Sequence, residues 1–371
     1  MTVAKKSIKF IVVLVLALFS ISSYGDDSQN KPGNKVDTSE EIREYIAHHL
    51  KDSHDFHLYT NNETGKHYGF PLPVIVWTSN GLKTFMSSEF HHDDNAQVIV
   101  DKEGTKLVKF HSKIYELESG ATSVSFDDSH HITNGSRVLD FSITKSVFGM
   151  LLAGLLMILA FGGLAKGYKR GKLIPTGFSR ALEPLVIYVR DEIARPNIGE
   201  KKYRKFMGFL LSVFFFIWIL NILGLTPLGF NVTGQIAVTA CLAIFTMVIY
   251  LVSGTKDFWA HTLWMPGVPF VLRPILAVIE LIGFVVIKPF SLLVRLFANI
   301  TAGHFVVMSL IALMITLKAS FGPVISTGMS LVLSLFIMVI ELLVAFLQAF
   351  IFTMLSSLFI GMAVEEHDHS H

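Results

Sequence analysis

Apolar positions are distributed unevenly along this chain. Residues 207–364 form long apolar stretches broken by few charges, whereas residues 26–142 mix short apolar runs with polar and histidine-rich segments. At the amino terminus Lys5, Lys6 and Lys9 precede an apolar run over 10–19 and small residues around Ser22, Ser23 and Gly25. That order is the layout of a secretory signal peptide, and the run is too short to span a bilayer comfortably. It predicts export of residues 26–142 as an extracytoplasmic domain. The pattern then predicts a membrane helix over 146–164, followed by Lys166, Lys169, Arg170 and Lys172. Such a basic cluster marks the cytoplasmic side. Leu182, Leu185, Val186, Val189 and Ile193 recur at helical spacing among charges, so 180–195 reads as an amphipathic helix on the inner surface. Two further spans are predicted over 207–223 and 235–253, with a turn at 231–233 between them and a cytoplasmic loop around Lys256 and Asp257.

The last third of the chain is too long for ordinary spans. Residues 323–362 contain one ionisable group, Glu341, and no internal proline. As one helix they would run about 60 Å, twice the roughly 30 Å of a bilayer core. Residues 274–317 are similarly long, with Pro289 as the expected kink. Two long tilted helices of this kind suit a protein that wraps a cylindrical partner. The fold class is therefore mainly α: a polytopic membrane protein with about five transmembrane helices, one cytoplasmic amphipathic helix, two long tilted carboxy-terminal helices and a small α+β amino-terminal domain. The domain boundaries read as 1–25, 26–142 and 143–371.

Composition agrees. At 371 residues with 51% hydrophobic content and a mean hydropathy of +0.54, the chain is too apolar for a soluble globular protein. A net charge of +2 gives no reason to invoke nucleic acid. Cys241, the single cysteine, cannot form an intrachain disulfide. Within the exported domain, 26–45 reads as a polar leader, 73–78 as a strand, and 97–100 with 106–110 as a hairpin across Asp101-Lys102-Glu103-Gly104. Ten of the fifteen histidines fall in this domain. His54 and His57 would share a helical face, but no metal spacing with defined supporting partners is visible, and a solvated histidine-rich surface is the simpler account. No metal ligands and no cofactor are assigned.

The candidate chemistry lies in the membrane. From residue 289 to 317 Arg295 is the only Lys, Arg, Asp or Glu. A charge at the centre of a membrane helix costs about 2.5–3.5 kcal/mol on insertion scales, and a guanidinium cannot escape by deprotonating. On a helical wheel Ser291 and Asn299 share the face of Arg295, and His304 points to the opposite side. Glu341 and Gln348 lie seven residues apart on one stripe of the following helix. Groups able to exchange protons, set apart from a permanent cation, are what a gated proton path requires.

These residues resemble a known family. Lys288-Pro289 through Arg295-Leu-Phe-Ala-Asn299, then Ile300-Thr-Ala-Gly303-His304, later Leu347-Gln348-Ala-Phe-Ile-Phe352 and the ending Glu365-Glu366-His367 are similar to subunit a of the F-type ATP synthase membrane sector. Asn221 to Pro227 is similar to the end of that family's third helix. The resemblance covers roughly residues 145–367. It implies that Arg295 is the stator arginine facing a ring of c subunits, with Gln348 beside it on the last helix. It further implies a proton entering past Glu341, His304, Asn221 and Glu280, a b-subunit peripheral stalk as a partner, and a place in a bacterial inner membrane with the carboxy terminus in the cytoplasm. His304 falls where many bacterial relatives have glutamate, and Glu341 where they have histidine, so the pair is exchanged. An acid and an imidazole remain available in either arrangement.

Two other classes compete. In a secondary transporter Arg295 would bind an anionic substrate, but such folds show two related halves and no internal repeat is visible here. A membrane-anchored metal-binding protein would be built around the histidine-rich domain.

Overall fold

A computed structural model describes residues 52–60, 67–118, 120–129, 131–169, 177–226, 230–264 and 268–365. The signal segment, the leader and the terminal Glu366 and His367 lie outside them. Among the described residues the chain divides into two compact units: the strands with the first turns of the first long helix and Phe230, and the helices from Leu152 onward.

The first unit is built of short antiparallel strands. β1 (Asp55–Thr60) pairs with β2 (His67–Pro71). β3 (Pro73–Thr78) is central in a three-stranded sheet between β4 (Gly81–Met86) and β9 (Leu139–Asp140), and β5 (Asn95–Lys102), β6 (Thr105–Phe110), β7 (Lys113–Leu117) and β8 (Gly135–Arg137) form a second sheet in that order. Side chains alternate across a strand with period two. Val74 and Val76 of β3 and Phe85 of β4 therefore meet Val100, Leu107 and Ile114 of the other sheet in one core. The expected strand over 73–78 is present with the same bounds. The expected hairpin is tighter than its sequence suggested, because Asp101 and Lys102 extend β5 and only Glu103 and Gly104 turn. Both have positive φ (52° and 81°), the backbone of a two-residue turn whose twist matches its strands.

Two side-chain pairs close this unit, the first of them buried. Lys109 Nζ donates to Asp55 Oδ2 at 2.8 Å, and His54 Nε2 lies 2.7 Å from Asp140 Oδ2. Burial pushes the Asp55 carboxyl up, but Lys109, the Ser87 hydroxyl and His92 outweigh it and hold the group below the ordinary carboxylate range. Among the described residues no three His, Cys, Asp or Glu side chains come together as a metal site.

The second unit is helical. α1 (Lys145–Lys169) leads into it, and α2 (Phe178–Tyr188) continues through a π-helical turn at Val189–Ala194 and a short helical turn at Arg195–Ile198. There follow α3 (Tyr203–Leu225), α4 (Ile236–Ser253), α5 (Lys256–Leu263), α6 (Arg273–Ile282) and α7 (Lys288–Val364). Among the described residues five segments are long and apolar enough to cross a membrane: Lys145–Tyr168, Tyr203–Leu225, Ile236–Ser253, Arg273–Gly303 and Val324–Val364. The protein is a multi-pass membrane protein, mainly helical, with a small strand-built region ahead of its first span.

α7 is two helices joined at Gly322, whose φ of 77° and ψ of 164° lie outside helical space. Only glycine adopts such a backbone without strain, and Pro323, which has no N–H to lose, starts the second arm. The kink expected at Pro289 takes another form. The helix widens into a π-helical turn over Gly283–Ile287, with the Lys288 N–H reaching back to the Gly283 carbonyl. A proline ring crowds the carbonyl four residues earlier and supplies no N–H, and a wider turn relieves both.

α7 packs mainly on α3 and α4. Leu182, Val189 and Ile193, the stripe of the expected amphipathic helix, are buried in a core shared with Phe206, Phe359 and Ile360, so that stripe is covered by protein. The end of α7 is pinned. Ser357 Oγ donates to the Ile193 carbonyl at 3.0 Å, Lys202 Nζ to the Val364 carbonyl at 2.6 Å, and the Thr255 N–H to the Ala363 carbonyl at 2.9 Å. The last two bonds satisfy carbonyls that the terminus of α7 leaves without intrahelical partners.

Candidate ion-translocation site

Arg295 sits on the first arm of α7, beside the stripe that holds that arm to the protein. Leu292 and Leu296 are each 1% exposed within the core that contains Phe352 and Phe359. Phe290 and Val294, on the outer side, are exposed. Arg295 lies between, half-buried, and its guanidinium makes no hydrogen bond and no ion pair among the described residues. A guanidinium cannot shed its charge by losing its proton, so a half-buried one among apolar neighbours is costly to keep.

One turn further on, Asn299 lines a cavity of about 270 Å³. Its wall is mostly apolar, with Asn221, Thr233, Asn299 and Glu341 supplying the polar groups. The volume is far above the roughly 10–15 Å³ that holds one water, and these groups offer the several partners a water needs. Asn221 is buried and fixed at both ends of its amide: Nδ2 donates to the Ala345 carbonyl at 3.2 Å, and Oδ1 accepts from the Thr233 hydroxyl at 2.9 Å. α3 is thereby tied to the second arm of α7 one turn past Glu341.

Glu341 is half-buried, and its Oε1 is buried without a hydrogen-bond partner among the described residues. The carboxyl lies against the backbone of Gly303. A Cβ on Gly303 would stand 2.6 Å from Glu341 Oε1 and 3.2 Å from Cδ. Glycine at 303 therefore admits the carboxyl to the first arm. Thr301 Oγ1, on the same arm, is likewise buried without a partner among the described residues. Gln348, two turns beyond Glu341, is 3% exposed.

The cavity thus brings together Asn221, Asn299 and Glu341 among the residues singled out from sequence. Glu280 does not line it; half-buried on α6, it acts electrostatically on Lys288. His304 lies on α7 directly after Gly303, and its side chain is outside the described set. Lys288 has a packing role, with Nζ 3.2 Å from the centre of the Phe284 ring and 5.2 Å from that of Phe359. Thr233 and Gly303 had no role assigned from sequence. Thr233 stands in a turn with nothing to mark it, whereas Gly303 stands inside the quoted motif, which is the one signal the sequence offers for it.

A half-buried cation one turn from an apolar-walled cavity that holds a carboxyl, on two long helices of a protein with five membrane-length spans among its described residues, defines a polytopic membrane protein with charged groups inside its apolar region. Residues 147–361 match the family model described as ATP synthase A chain, and the chain belongs to that family. It is 44% identical over 237 residues to "ATP synthase subunit a" of Chlorobium phaeobacteroides (strain BS1), covering 62% of this chain and 68% of the relative. It is 43% identical over 238 residues to "ATP synthase subunit a" of Chloroherpeton thalassium, covering 62% and 69%. To "ATP synthase subunit a 2" of Prosthecochloris aestuarii it is 43% identical over 237 residues, covering 62% and 71%. Residues 45–141 match a separate model, described as a domain of unknown function (DUF8433). The chain is a membrane subunit of an ATP synthase, not an enzyme in its own right.

Proposed function

We propose that this chain is the proton-conducting stator of a rotary ATP synthase, supplying two half-channels to a turning ring of c subunits, with Arg295 separating them. The observation that carries this reading is the half-buried Arg295 guanidinium, partnerless among the described residues, one helical turn from a cavity containing Glu341. A proton enters through the cavity past Asn221, Asn299 and Glu341 and neutralises a ring carboxylate, which then turns into lipid. Glu280 and His304 belong to this path on the strength of the sequence pattern. After nearly a full rotation the carboxyl loses its proton to the cytoplasmic half-channel, and the anion is drawn to Arg295, with Gln348 beside it. Because a guanidinium keeps its proton, it favours the ionised carboxylate and blocks direct passage between the half-channels. Each charge crossing 100 mV yields about 2.3 kcal/mol, so several protons are used per nucleotide made.

The exposed apolar side chains around Arg295, Phe290 and Val294 among them, support docking of the ring on this face. In the same reading a b-subunit stalk holds the chain, residues 1–25 direct export, residues 26–142 lie outside the cytoplasm of a bacterial inner membrane, and the carboxy terminus lies inside. Cross-linking tests the docking. In a Cys241→Ser background, Ser291→Cys, exposed one turn before Arg295, is expected to form a disulfide with a cysteine placed beside the carboxylate of a c subunit. Cross-linking by an Ile244→Cys variant, on the exposed side of α4, with none from position 291, would overturn the assignment.

A further inference from the structure

The strand-built unit carries an apolar sheet face that its own core does not use. Trp77 of β3 pairs across the sheet with Leu82 of β4 and with Leu139 of β9, so the three side chains stand in one row. Phe141 continues that row along the third strand, its N–H bonded to the Ile75 carbonyl at 2.8 Å, and Met86 stands at the far end of β4 opposite Pro73. Trp77, Leu82, Met86, Leu139 and Phe141 are 42–65% exposed. The charged residues of these strands lie on the opposite face: Lys83 pairs with Glu103, and Asp140 with His54. Thr84 is the one polar side chain on the exposed face of β4.

This face is held close to the start of a membrane span. The third strand runs on to Ile143, whose N–H bonds the Pro73 carbonyl at 3.0 Å, and the span begins at Lys145. From Phe141 to Lys145 is four residues, at most about 14 Å of chain. The junction is locked: the Lys145 N–H donates to the Ser53 carbonyl at 2.9 Å and the Ser146 N–H to Asp52 Oδ1 at 3.0 Å, while Phe148 packs edge-on against Phe56 and Phe70. A sheet joined in this way to the first turn of α1 stays within a short length of chain of the bilayer surface while α1 spans it.

We propose that the Trp77–Leu82–Leu139–Phe141 face lies flat on the lipid leaflet that α1 enters, as a monotopic anchor seated at the boundary of headgroups and acyl chains. Trp and other amphipathic or aromatic side chains favour that depth, and an apolar patch without charge is what such contact requires. The inference rests on α1 being a span.

The full chain in lipid nanodiscs, with Cys241→Ser, provides the test. An environment-sensitive fluorophore is attached to a single cysteine at Trp77, Leu82 or Leu139 in turn, with Ile158→Cys on the exposed side of α1 and Asp128→Cys in an exposed loop as references. Doxyl-labelled phosphatidylcholine is expected to quench positions 77, 82, 139 and 158 by about two-fold and leave 128 unchanged, with iodide quenching only 128. Iodide access at 77, 82 and 139 without lipid quenching would overturn the proposal while leaving the span intact, and shielding from both quenchers would assign the face to protein. Loss of lipid quenching at 158 would instead overturn the span, and the anchor with it.

Discussion

Replacing Gly303 by alanine probes the site at the point where two helices meet. The new Cβ would stand 2.6 Å from Glu341 Oε1, whereas ordinary contact begins at 3.4 Å, so the carboxyl must withdraw by about 0.8 Å. The obstructing atom is the end of a flexible side chain, so the cost falls on its rotamer, about 0.5–1.5 kcal/mol, and the helices need not separate. Assembly should survive. Proton transfer should not survive at full rate, because a misplacement of about 1 Å at a reacting group can cost up to about 100-fold. In the reconstituted complex we expect ATP-driven pumping, and proton flow in the synthesis direction, to fall by about 10- to 100-fold. Glu341→Asp, one methylene shorter, restores the space. The double variant Gly303→Ala with Glu341→Asp is therefore expected to pump better than the product of the single effects, which is the sign of coupled neighbours. Full pumping by Gly303→Ala, or strict additivity in the double variant, would show that residue 303 and the Glu341 carboxyl do not press on one another.

Other expectations follow from neighbouring groups. Glu341→Gln should slow proton flux while leaving assembly on native gels intact; unaltered flux would remove Glu341 from the path. Asn221→Leu strands the buried Thr233 hydroxyl and unties α3 from α7, which should cost about 1–3 kcal/mol and appear as a lowered melting temperature of the complex. Lys109→Met takes the ammonium partner from the buried Asp55 carboxylate and leaves it only the Ser87 hydroxyl and His92, a loss of up to about 3–5 kcal/mol that hydrogen exchange of the strand-built unit in the intact chain would detect. Because the folded-state pKa of Asp55 is depressed, its stabilising contribution is complete above the ordinary carboxylate range and is lost as pH falls through the folded value. Wild-type hydrogen-exchange protection should therefore weaken only in strong acid.

The spans were legible because apolar runs and basic flanks act locally: the helix expected over 146–164 is present as Lys145–Lys169, and that over 207–223 as Tyr203–Leu225. The strand at 73–78 was legible for the same reason, a β-branched run with period-two burial. Pro289 was legible as a disturbance, but its form was not, since a π-helical turn and a kink relieve the same clash. The site divided along similar lines. Arg295 and Glu341 announce themselves as charges in apolar sequence. Thr233 and Gly303 do not, because their roles exist only once α3 and both arms of α7 stand together. The apolar face around Trp77 was also hidden, since alternation alone does not say which side of a strand finds a partner.

In the proposed function Arg295 is the fixed barrier between two half-channels. The decisive measurement compares ATP-driven pumping with passive proton permeability in vesicles carrying an assembled Arg295→Ala complex. Pumping should be abolished and the membrane sector should leak protons down an imposed gradient; an assembled variant that pumps, or that stays proton-tight with ATP hydrolysis still coupled, would contradict it.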